Sequence, residues 1–93
     1  MQISANFFFK KKILIYGLGL SGISSLNFLK KNNSVKFYDD NKKFNSKSLS
    51  KFFIKKHKIN NYKFDLIILS PGINFEKCGL KTYLKKNKKK IYT

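Results

Sequence analysis

The sequence predicts a doubly wound α/β fold, in which a parallel sheet carries helices on both faces. Two observations support this class. Short apolar runs alternate with stretches of helical periodicity along the 93 residues, which is the pattern of consecutive βαβ units. The apolar runs are unbroken and rich in β-branched residues, as in strands that are buried on both faces. The length suits one small domain, which we expect to span residues 1–93.

The expected elements alternate along the chain. The first strand covers residues 13–16, and apolar residues at three-residue steps predict a helix over residues 21–31. The later elements are expected to be a strand at 35–38, a helix at 46–56, a short strand at 57–59, a strand at 64–69, a helix at 76–87 and a strand from residue 90.

Three glycines at GxGxxG spacing lie between the first strand and the first helix. Gly17 permits a sharp exit from the strand, Gly19 leaves room for a phosphate, and Gly22 lets the helix pack close to the sheet. The helix would then offer the backbone N–H groups of about Leu20 and Ser21, and the positive end of its dipole, to an anion. The alternative is a tight strand-to-helix turn that holds no ligand.

A second turn, with Asp39, Asp40 and Asn41, follows the second strand. Asp39 lies about 20 residues beyond the first glycine, where dinucleotide-binding proteins place the acid that binds ribose hydroxyls. The alternative is an ordinary turn-capping or helix-capping aspartate. Because the chain has 4 acidic residues, two in succession at this edge favour a site.

A third turn, with Ser70, Pro71 and Gly72, ends a buried strand. Pro71 cannot donate to a strand ladder, so the strand must stop there. Ser70 can donate its hydroxyl, and Gly72 can bring a backbone N–H group to a ligand oxygen. Since ligands of doubly wound sheets bind beyond the carboxyl ends of the strands, we expect all three turns to meet at one edge.

The composition limits the possible partners. The formal net charge is +17, and all 21 basic residues are lysines. A surface selected to read bases normally uses arginine, so we expect weak, salt-sensitive adhesion to polyanions but no specific nucleic-acid partner. No apolar run reaches the ~18–20 residues of a membrane span, and the first residues do not form a secretory signal. We therefore expect a cytoplasmic protein without a membrane partner.

Several catalytic patterns are missing from the 93 residues. They contain no GxxxxGK[ST] loop, no Cys/His metal pattern and no nucleophile paired with a base. We expect no catalytic pair between the single cysteine, Cys78, and the single histidine, His57, which lies in a lysine-rich segment. We expect a binding domain with no catalytic residue, no metal and no cofactor of its own.

Three segments in this order and spacing carry a family resemblance: ILIYGLGLSGISSLNFL, VKFYDDN and FDLIILSPGI. They resemble the amino-terminal domain of the Mur ligases of peptidoglycan synthesis, in particular the D-glutamate-adding branch. The resemblance covers residues 11–93 and implies a Rossmann-like domain that binds UDP-N-acetylmuramoyl-L-alanine. The family's enzymes use ATP and Mg in a central domain and bring in the amino acid with a carboxy-terminal one. Neither is within these 93 residues, so we expect this chain alone to be inactive.

The resemblance also implies roles for the three turns. Leu20 and Ser21 would contact the diphosphate, residues 39–41 match the segment that holds the uracil, and residues 70–72 match the turn that closes over the nucleotide. Asn41 departs from relatives that carry an arginine stacked on the uracil. The competing hypothesis is an NAD(P)-binding half-domain of a dehydrogenase-like protein, which the glycines and Asp39 favour.

Overall fold

The computed structural model describes residues 10–40 and 47–92. Within them one parallel sheet has the strand order β2-β1-β3-β4. Its strands are β1 (Lys12–Tyr16), β2 (Ser34–Tyr38), β3 (Leu66–Leu69) and β4 (Ile91–Tyr92). The helices of the described residues are α1 (Leu20–Leu29), α2 (Lys47–Ser50), α3 (Ile59–Tyr62) and α4 (Lys81–Lys86), with 3-10 turns at Lys56–Lys58 and Lys88–Lys90.

The sheet has a buried core on each face. Along β1, Ile13 and Ile15 point to the core shared with α1, while Leu14 and Tyr16 point to the core shared with α3 and α4. All four side chains are at most 1% exposed. Successive strand residues point to opposite faces, so an unbroken apolar run fits a strand that is covered on both sides. This arrangement confirms the doubly wound α/β class.

The first helix matches its predicted place. α1 ends at Leu29, where the side-chain amide of Asn33 donates to the Leu29 carbonyl at 3.0 Å. That bond satisfies one of the carbonyls that a helix end leaves without a partner. Leu26 and Leu29 face the core. Among the described residues, none of the helices combines the length and the apolarity needed to cross a membrane.

The helix predicted at residues 46–56 is wrong over its second half. α2 ends at Ser50, and the chain then runs beside β2, where the Phe37 N–H donates to the Phe52 carbonyl at 2.8 Å and the Ile54 N–H donates to the Phe37 carbonyl at 3.0 Å. Phe53 packs edge-on against Phe37, with 5.6 Å between ring centroids. The pairing covers backbone groups that β2 would otherwise leave bare at the sheet edge.

The parallel bridge between Phe37 and Phe53 places a fifth segment beside the four strands of the sheet. Counted along the chain, residues 52–54 become the third position, and the spatial order reads 3-2-1-4-5. That is the order of Rossmann-like sheets, in which the chain first adds strands on one side of the first strand and then on the other. Here this reversal of the strand order lies between β1 and β3.

Two other predictions fail locally. Residues 57–59 form no strand: a 3-10 turn at Lys56–Lys58 leads into α3, and the buried Ile59 draws this segment onto the core. The helix predicted from residue 76 begins only at Lys81. The Asn74 side chain explains the delay, because its Oδ1 accepts the Glu76 and Lys77 N–H groups at 3.0 and 3.3 Å and holds the segment in a turn.

Candidate functional site at the carboxyl edge of the sheet

The first and third turns touch each other at the carboxyl edge, between β1 and β3. Gly17 has φ +93°, a conformation that favours glycine. A Cβ atom at Gly17 would lie 2.7 Å from the Ser70 Cβ and 3.2 Å from the Ile73 side chain. Gly17 is therefore required both by its backbone conformation and by the approach of the turn after β3.

The second turn is tied to the first by a carboxylate. Oδ2 of Asp39 accepts the Leu18 N–H at 2.7 Å, and the Gly17 N–H donates to the Tyr38 carbonyl at 2.8 Å. The exits of β1 and β2 are thus joined at two successive residues. In this structure the Asp39 carboxylate braces the glycine turn, which is the structural role that the sequence left open for it.

The remaining two glycines of the turn differ in what surrounds them. A Cβ atom at Gly22 would fall on the carbonyl oxygen of Gly17, so this glycine allows α1 to approach the strand exit. Gly19 is exposed and has φ −78° at the N-cap of α1, and apart from its chain neighbours no described atom lies within 4 Å of its ideal Cβ position. The fold does not require glycine there, and this position is exposed to solvent. Leu20 and Ser21 are the first residues of α1.

The third turn is closed by its own backbone. The Ser70 N–H donates to the Tyr16 carbonyl at 3.0 Å, and the Ile73 N–H donates to the Ser70 carbonyl at 3.1 Å. Pro71 and Gly72 are exposed at the tip of this turn, and a Cβ atom at Gly72 would meet nothing within 4 Å. The tip therefore presents backbone to solvent beside the glycine turn.

The Asp40 side chain bonds to groups outside the glycine turn. Its Oδ2 accepts the phenol hydroxyl of Tyr16 at 2.5 Å and the Gly79 N–H at 3.2 Å. The sequence reasoning missed these contacts. The signal was Tyr16 itself, because a buried tyrosine needs a partner for its hydroxyl. Asn41, the last residue of this turn, lies outside the described residues.

Burial dominates the electrostatics of this edge. It raises the pKa of Tyr16 far above the ordinary value, and the hydrogen bond to Asp40 raises it further. Burial also raises the pKa of Tyr38, with smaller contributions from the charges of Asp40 and Asp39. Both phenols therefore hold their protons to a higher pH than an exposed tyrosine does. In the part of the chain that is described, no group of three or more His, Cys, Asp or Glu side chains could hold a metal ion.

A family model described as C2185-like, N-terminal, matches residues 9–91. The chain belongs to this family. The C2185-like chain is also 44% identical to the UDP-N-acetylmuramoylalanine--D-glutamate ligase of Buchnera aphidicola subsp. Schizaphis graminum (strain Sg), over 72% of the chain and 17% of that protein. These two matches confirm the resemblance to the amino-terminal domain of the Mur ligases. No solved structure matches the C2185-like chain.

Proposed function

We propose that this C2185-like chain binds UDP-N-acetylmuramoyl-L-alanine, as the amino-terminal part of a cytoplasmic, D-glutamate-adding Mur ligase. The observation that carries the proposal is the 44% identity to a protein named as that ligase. The chain spans 17% of that protein's length, so the proposal concerns substrate binding by these residues and not the whole reaction.

The open backbone at Gly19 supports a diphosphate site. The first N–H groups of a helix have no partner within the helix, and the helix dipole places positive potential there. A phosphate oxygen could approach this backbone, because apart from the chain neighbours no described atom lies within 4 Å of the missing Cβ. Leu20 and Ser21 would supply the first amides of α1, which is the arrangement used for pyrophosphate in related folds.

The other two turns would border the rest of the nucleotide. Asp39 and Asp40 follow β2 and belong to the segment that the family resemblance matches to the uracil, and residues 70–72 follow β3. Asp39 and the Ser70 turn both contact the glycine turn. A nucleotide bound at Gly19 would therefore have polar groups of two neighbouring turns within reach.

Amide-bond formation would need groups beyond these 93 residues. In the complete family enzyme, ATP with Mg activates the substrate carboxyl for attack by D-glutamate. The 93 residues contain no GxxxxGK[ST] loop for a triphosphate. We infer that this chain alone forms no amide bond when it is given ATP, D-glutamate and UDP-N-acetylmuramoyl-L-alanine. Product formation under those conditions would overturn the inference.

Calorimetric titration of the 93-residue chain tests the proposed ligand. We expect saturable binding of UDP-N-acetylmuramoyl-L-alanine and none of NAD at the same concentrations. Saturable binding of NAD without binding of the UDP compound would instead favour the dinucleotide hypothesis.

A substitution at Gly19 locates the binding site. Gly19→Val should weaken binding of the UDP compound at least ten-fold, because the new side chain occupies the space left for phosphate. Its fold should persist, since nothing lies near the added Cβ. Asn27→Val is the matched control, because it adds the same side chain at an exposed position of α1. Equal affinities of the two variants would exclude the glycine turn as the site.

A further inference from the structure

The two consecutive acids that follow β2, Asp39 and Asp40, contact residues of the cores on opposite faces of the sheet. Asp39 bonds to Leu18, which belongs to the core on the α1 face. Asp40 bonds to Tyr16, which belongs to the core on the α4 face. This division follows from extended backbone, in which successive side chains alternate between faces. The pair is therefore two separate contacts that hold β1 from both sides.

The Asp40 contact is short, charged and partly shielded from water. Tyr16 is 0% exposed, and its hydroxyl lies 2.5 Å from Oδ2 of Asp40. Hydrogen bonds to an ionised carboxylate are about twice as strong as neutral ones. Because burial raises the pKa of Tyr16, the phenol keeps the proton that it donates.

The same contact also holds the segment that precedes α4. The Gly79 N–H donates to Oδ2 of Asp40 at 3.2 Å, and the Leu80 N–H donates to the Tyr16 hydroxyl oxygen at 3.4 Å. A Cβ atom at Gly79 would lie 2.5 Å from Oδ1 of Asp40. The backbone therefore rests directly on the carboxylate, and only glycine permits this approach without a shift.

These bonds close a small ring across the exits of β1 and β2. One side runs along the backbone from Tyr16 to Leu18 and the other from Asp39 to Asp40, with a hydrogen bond at each end. Two anchors on opposite faces restrain rotation of the glycine turn about the β1 axis. Loss of either anchor would leave the turn held from one face only.

We propose that Asp40 is a positioning residue, which acts through Tyr16 and Gly79 to hold the glycine turn and the segment before α4 in the orientation that binds the nucleotide. The nucleotide part of this statement rests on the proposed function. In this assignment the Asp40 carboxylate acts on the protein and not on the ligand. Its carboxylate is occupied on the face away from Asp39, by groups that belong to the protein.

A double-mutant cycle tests this assignment. Tyr16→Phe, Asp40→Asn and the double variant are titrated with UDP-N-acetylmuramoyl-L-alanine. We expect each single change to weaken binding about ten-fold, and the double variant to be no weaker than about twenty-fold, because both changes break the same contact. If Asp40→Asn weakens binding while Tyr16→Phe does not, Asp40 contacts the ligand directly and the proposal is wrong.

Two control variants separate positioning from a loss of stability. Tyr83→Phe removes another phenol hydroxyl, from α4, and Ile59→Val removes one buried methyl group. Ile59→Val should lower the melting temperature by about 5 °C. Both controls should leave the affinity of the folded protein within two-fold of wild type. If they weaken binding as much as Tyr16→Phe does, the effect is general destabilisation and the proposal fails.

Amide hydrogen exchange without ligand tests the contact independently. We expect the Gly79 and Leu80 amides to exchange at least ten-fold faster in Tyr16→Phe and Asp40→Asn than in wild type or Tyr83→Phe. Unchanged exchange would overturn the proposal, whatever the binding data show. Faster exchange in a chain whose wild type fails to bind the UDP compound would refute the proposed function and the nucleotide part of this inference, while it would leave the Tyr16–Asp40 contact established.

Discussion

At both ends of the sheet an aspartate accepts a backbone N–H group of the β1 segment, but only the carboxyl edge is a candidate site. At the carboxyl edge Asp39 accepts the Leu18 N–H at 2.7 Å, and at the amino edge Asp65 accepts the Lys12 N–H at 2.9 Å. In each case an aspartate from a neighbouring segment satisfies a backbone donor at one end of β1. An aspartate that ends a strand therefore does not by itself mark a ligand site.

What distinguishes the carboxyl edge is its glycines. Gly17 and Gly22 bring two turns and a helix into contact, while Gly19 keeps backbone exposed at the start of α1. The amino edge borders an open cavity that is lined by lysines and small polar residues and by no glycine: Lys10, Lys11, Lys12, Lys31, Asn32, Asn33 and Ser34. There, Lys11 N–H donates to Asn33. Backbone access, more than acidic residues, separates the candidate site from an ordinary strand end.

The largest expected effect comes from filling the tight glycine positions of the carboxyl edge. Gly17→Ala and Gly22→Ala should each lower the free energy of unfolding by about 2–4 kcal/mol, because one is strained at positive φ and both add a clash. Urea denaturation measures this. Gly72→Ala is the control, since its added Cβ meets nothing. A loss at Gly22 no larger than that at Gly72 would show that α1 approaches the strand less closely.

Alkaline pH should lower the free energy of unfolding, because the Tyr16 phenol resists ionisation in the folded protein. The native state keeps this proton while the unfolded chain releases it near the ordinary pKa of 10.0, so stability falls as the pH rises above about 10. Between pH 9 and pH 11, wild type should lose about 1.4 kcal/mol more than Tyr16→Phe. Urea unfolding at both pH values measures the difference. Equal losses would mean that the Tyr16 phenol ionises in the folded protein.

The smallest effect is expected from the two aspartates that cap β1. Asp39→Ala should lower the free energy of unfolding by about 1 kcal/mol, and the exposed Asp65→Ala by less, because each leaves a backbone donor without its carboxylate. The affinity for UDP-N-acetylmuramoyl-L-alanine should fall in Asp39→Ala alone. Thermal denaturation and calorimetric titration measure these effects. Equal weakening of binding by both variants would remove the distinction between the two edges.

Most of the sheet followed from local pattern. The unbroken run at residues 13–16 predicted a doubly covered strand, and both cores receive its side chains. The failures lie where a distant segment competes with local periodicity. Phe52 and Phe53 have helical spacing after Leu49, yet this segment pairs with β2. The unpaired sheet edge supplies backbone hydrogen bonds and the Phe37 ring supplies an aromatic contact, and together these stabilise the segment more than another helical turn would.

The sequence alone determined the fold class, the glycine turn and the expectation that three turns share one edge. These depend on periodicity, on glycine's conformational freedom and on the geometry of parallel strands, all of which are local. Only the tertiary structure decided how the turns are held. Asp39 faces Leu18, Asp40 faces Tyr16 and Gly79, and of the three glycines in the glycine turn Gly19 has open space at its Cβ position. Those partners lie up to 39 residues apart along the chain, and no local pattern specifies which of them meet.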